Sequence, residues 1–144
     1  MKTLLALLLI IPSFSMGEML SLRDYIDEHE GEGNATYSNA YYVSARCAAL
    51  YSVLESFSSD TPGLDSNTFS EANKKFIVMA LNLSQKIKKN NPTDEELSNY
   101  VLETISNIQN LYIKASKDNY YSRGETLTDI MISDANICAD YLNQ

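Results

Sequence analysis

The 144-residue chain has no tryptophan, a single histidine, two cysteines and three prolines. It also has only 11 basic residues against 19 acidic ones, for a formal charge of −8. Each scarcity removes a class of function. Nucleic-acid binding needs Lys and Arg clustered against phosphate, and a chain with a pI of about 4.5 lacks that surplus. One histidine leaves little scope for a zinc site or a His-dependent catalytic triad. G-x-S-x-G, H-E-x-x-H and phosphate-loop patterns are absent, and no cofactor motif is present. After residue 11 no apolar run approaches the 18 or so residues of a membrane span.

What is present begins with an export signal. Met1-Lys2 gives a positive start, and Thr3 to Ile11 is a nearly apolar run of nine residues. Pro12 breaks that run, and small residues follow at Ser13, Ser15 and Gly17. This is the layout of a secretory signal peptide over residues 1–17, with cleavage expected after Ser15 or Gly17. Nine apolar residues cover only about half of a ~30 Å hydrocarbon core, so a retained anchor fits less well. Cleavage leaves residues 18–144 with ten basic and 19 acidic side chains, a net charge of −9. The expected location is periplasmic or secreted, an oxidising setting in which Cys47 and Cys138 form a disulfide rather than a metal or CxxC redox pair.

The mature chain reads as an all-α, single-domain, up-and-down bundle with four main helices and a short N-terminal one. Ser21 and Asp24 open the short helix in capping-box fashion, and Leu22, Tyr25, Ile26 and His29 share a face. The second helix, about 37–58, is apolar on nearly every side, with Arg46 and Glu55 its only charges after Ala40. Asp60-Thr61-Pro62-Gly63 ends it. Thr68 and Glu71 have the spacing of a capping box for the third, and Lys86, Lys88 and Lys89 suit its C-terminal dipole. Thr93 caps the fourth, which carries Asp94, Glu95 and Glu96 in its first turn. Residues 119–124 read as a turn or frayed end. Thr126 with Asp129 then opens a last helix, whose nine apolar residues between Ile130 and Leu142 place it centrally.

Few residues promise chemistry. His29, among Asp24, Asp27, Glu28, Glu30 and Glu32, invites a weak cation site, but the run lacks the alternating acids of an EF-hand loop. A packing histidine at a helix end is the plainer reading. Glu95 and Glu96 sit where acids stabilise helix starts. Asp129 and Asp134, flanked by apolar residues, are the only acids worth watching for glycosidase-type carboxylate chemistry. Arg46, buried mid-helix, needs a carboxylate partner. Asp134, one turn before Cys138, is brought near by the disulfide, and Glu55 is the alternative. Tyrosines cluster at Tyr37, Tyr41 and Tyr42 and at Tyr120 and Tyr121, as a rim on the core or a sticky face.

Together these features imply an exported, acidic, non-enzymatic protein that binds another macromolecule. Its partner is expected to be a protein of basic or mixed charge, with no nucleic acid and no membrane involved after signal cleavage. A carrier of a small apolar ligand between the helices is the alternative, and a carboxylate-dependent hydrolase a weaker one.

Overall fold

The computed structural model describes residues 19–29 and 36–143. The signal-peptide reading at 1–17 therefore lies outside the described residues, as do Glu30 and Glu32. Five helices make up the fold: α1 (Leu22–His29), α2 (Thr36–Ser58), α3 (Ser66–Ile87), α4 (Asp94–Arg123) and α5 (Asp129–Leu142). Among the described residues there is no strand, and no helix is long and apolar enough to cross a membrane.

α2 is the centre. From Tyr41 to Leu54 only Tyr42 and Ser52 escape full burial, so the helix is covered on all sides. Ala45, Ala48 and Ala49 keep its surface low enough for neighbours to approach closely. α3 runs antiparallel along it, burying Ala72, Phe76, Ala80 and Ser84. Tyr51 stacks on Phe76 at 5.8 Å near one end of that contact, and Lys86 lies over Tyr37 at the other. α4 returns parallel to α2, with Tyr41 bonded to Thr104 and Ser52 to Gln109. Its buried stripe is Leu97, Val101, Ile105, Ile108, Tyr112 and Ser116, at helical spacing throughout. Thr93 and Glu96 form the reciprocal capping box at its start.

Three boundaries differ from the sequence reading. α3 is capped by Asp65, which accepts from the backbone N–H of Asn67 and the Thr68 hydroxyl, so Thr68 is a cap ligand and forms no box with Glu71. α4 continues through residues 119–123 because Gly124 takes the left-handed conformation that closes the helix, its N–H donating to the Tyr120 carbonyl. α5 starts from Thr128, not Thr126. Asn119 donates to the carbonyls of Glu125 and Leu127, which holds those residues in the turn.

α5 is also less central than its composition suggests. It buries only Met131, Asp134 and Cys138, and Ile132 is 51% exposed. The helix lies against α2 and α1 and makes little contact with α3. Its inner stripe is fixed by a disulfide and an ion pair as much as by apolar side chains. Cys47 and Cys138 are bonded, with their Cα atoms 5.6 Å apart and both side chains fully buried.

Candidate functional site

The most chemically distinctive place in the molecule is a buried polar cluster beside that disulfide. α2 supplies Arg46, whose long side chain enters the core because the residues around it, Ala45, Cys47 and Ala49, are small. α5 supplies Asp134, one turn before Cys138. The two are 1% and 0% exposed, and Arg46 Nη2 lies 2.6 Å from Asp134 Oδ2. Arg46 Nε donates to the same oxygen at 2.9 Å and to the Tyr112 hydroxyl at 3.0 Å. Tyr112, from α4, passes the relay on by donating to Asp134 Oδ2. The other carboxylate oxygen accepts the backbone N–H of Leu22, at the start of α1, at 2.6 Å. Arg46 Nη1 reaches the Tyr42 hydroxyl at 3.4 Å.

Four helices thus converge on one carboxylate. An unpaired charge here would be prohibitive, but each group has partners, and no buried side-chain nitrogen or oxygen among the described residues is left without one. Burial works against the Arg46 charge, yet the pull of Tyr112 and Asp134 outweighs it and raises the guanidinium pKa above its ordinary value. Burial, reinforced by the Asp134 charge, drives the Tyr112 phenol well above the usual tyrosine range, so it stays a protonated donor. The cluster is closed to solvent in this conformation. Its geometry suits fixing helices in register.

The remaining candidates lie apart. Asp129 is 93% exposed, 3.8 Å from Arg123, and shares no cleft with the buried Asp134. Glu95 and Glu96 are exposed in the first turn of α4, where Glu96 completes the cap. Glu55 is half-buried and in no ion pair among the described residues. His29 stacks on Tyr25 at 4.2 Å and places Nδ1 2.8 Å from the Tyr25 carbonyl oxygen. Tyr25 in turn packs on Tyr42. Among the described residues no three His, Cys, Asp or Glu side chains gather as a cation site requires. Tyr112 and the Leu22 N–H were missed by sequence reasoning. A tyrosine on a mostly apolar buried stripe was the available signal, since its hydroxyl must find a partner.

Burial of Arg46 also reshapes the surface. Residues 24–73 contain nine acids and one cation, and that cation is Arg46. With it neutralised in the core, the exposed formal charge of this stretch is negative. The seven described acids there, at the α1 face and around the α2–α3 turn, form no ion pair with any described residue. No protein-family model, curated protein or solved structure matches the chain.

Proposed function

We propose that this is an exported binding protein without enzymatic activity, whose partner is a protein of basic or mixed charge. One observation carries the reading: the only cation of residues 24–73 is folded into the core, so the exposed acids of that stretch have no basic residue among them. A field of one sign speeds encounter with a cationic surface and repels nucleic acid and anionic membrane. The disulfide supports an oxidising compartment, where such a bond persists.

The test is a biosensor titration of partners recovered at low salt. A charge-steered complex loses about an order of magnitude of association rate as salt rises to physiological strength. It weakens again when Glu55, Asp60 and Glu71 are neutralised together (Glu55→Gln, Asp60→Asn, Glu71→Gln). Failure to find a saturable complex, or one indifferent to both salt and neutralisation, overturns the proposal.

A further inference from the structure

α2 carries α3 on one flank and α5 on another, and these two outer helices make little contact with each other. Between them lies an open cleft of about 450 Å³, lined by Lys74, Lys75, Val78 and Met79 of α3 and Tyr141 and Leu142 of α5. It is a shallow groove open to solvent along one side, which an extended chain could lie in without being enclosed. Its lining divides into four apolar or aromatic side chains and two cations, with no acid. Val78 is 55% exposed, so the apolar floor is left uncovered.

The two lysines differ from their neighbours further along the same helix. Lys86 rests over the Tyr37 ring at 4.9 Å and Lys88 over Tyr100 at 3.9 Å. Lys74 and Lys75 are exposed and have neither an ion pair nor an aromatic partner among the described residues. In a chain of net charge −8, this places two uncommitted ammonium groups at the lip of an apolar cleft.

We infer that the α3–α5 cleft binds a free, single-chain anionic amphiphile, with the head group on Lys74 and Lys75 and the acyl tail along Val78, Met79, Tyr141 and Leu142. Charge complementarity selects the anion, and the apolar floor selects a tail over a small inorganic ion. A free molecule is favoured over a bilayer surface because the net acidity of the chain repels an anionic membrane at long range. A single bound molecule feels the two lysines at close quarters. This site is independent of the protein partner proposed above.

Laurate below its micelle concentration is the probe, titrated calorimetrically into the full mature chain. The expected result is saturable one-to-one binding, weakened about tenfold or more by Lys74→Glu with Lys75→Glu. Dodecyltrimethylammonium, which has the same tail and the opposite head, should bind at least as poorly to the parent protein. Val78→Asn, a neutral change at an exposed position that leaves the core untouched, should weaken laurate without altering the charge of the two lysines. Absence of saturable laurate binding overturns the inference, as does equal affinity in the lysine variant or for the cationic amphiphile. Adsorption to phosphatidylglycerol vesicles without uptake of laurate overturns it as well.

Discussion

The carboxylate of Asp134 accepts the backbone N–H of Leu22 at 2.6 Å, joining residues 112 positions apart in the chain. Leu22 is the first residue of α1, so this bond satisfies a helix-start donor that has no partner within its own helix. It also means that α1 is seated by the same side chain that neutralises Arg46.

The first prediction follows from that shared carboxylate. Arg46→Ala and Asp134→Ala should each cost about 3–5 kcal/mol, because each strands a buried partner. The double variant should cost less than the sum, with a coupling above about 1 kcal/mol in urea denaturation. Strict additivity would show that the pair does not act as a unit.

The disulfide gives a second. Closing 91 residues of chain contributes about 4–5 kcal/mol by chain entropy, and about 2–4 kcal/mol is the usual realised value. Cys47→Ala with Cys138→Ala should lower stability by that smaller amount. Protein made in an oxidising compartment should show no titratable thiol after unfolding without reductant. Two reactive thiols would contradict the bond.

Alkaline pH gives the third. Burial raises the phenols of Tyr41, Tyr51 and Tyr112, with Tyr41 pushed up to about 12. A raised phenol favours the neutral form in the folded state. Its contribution is fully present below the usual value of about 10 and is lost as pH climbs through the folded value. Urea midpoints should therefore be steady from neutrality to about pH 10 and fall between about pH 10 and 12. Phenolate absorbance should rise together with unfolding. Ionisation of all ten tyrosines near pH 10 with the fold intact would contradict this.

Helix capping gives a fourth, with an internal control. Thr93→Ala should cost about 1 kcal/mol, since its hydroxyl accepts the Glu96 N–H. Asp65→Ala should cost a similar amount at α3. Glu71→Ala should cost less than either, because Glu71 caps nothing in this structure. Equal losses at all three positions would refute the assignment of Asp65 as the cap.

Those caps show where the sequence was legible and where it was not. The Thr93 cap was readable because Pro92 and the acidic first turn exclude other starts; its reciprocal box with Glu96 came from the structure. At α3 the spacing of Thr68 and Glu71 pointed one turn too late, because a spacing rule cannot tell that the Thr68 hydroxyl donates to Asp65, which is the cap. Similarly, Asn119 looked like a terminator, but its amide spans outward to Glu125 and Leu127 while its backbone stays helical. Arg46 demanded an acid by the cost of burial alone. Glu55, nine positions along, falls half a turn round the helix from it, whereas the 47–138 bond delivers Asp134 to its side. The α3–α5 cleft was invisible, since it arises from how α5 divides its contacts and not from any pattern within one helix. Composition placed α5 at the centre, and only the packing shows that its stripe of three buried residues leaves Ile132 outside.

The separation of Arg46 from Asp134 also sets an order of events during synthesis. Arg46 leaves the ribosome 88 residues before its counter-ion. Until Asp134 arrives, α2, α3 and α4 hold that guanidinium without its counter-ion, so any arrangement that buries it at that stage is penalised. The chain is thereby biased towards closing late. Nascent chains stopped at Gly124 should be digested rapidly by protease, while chains carried past Cys138 in oxidising conditions should resist it.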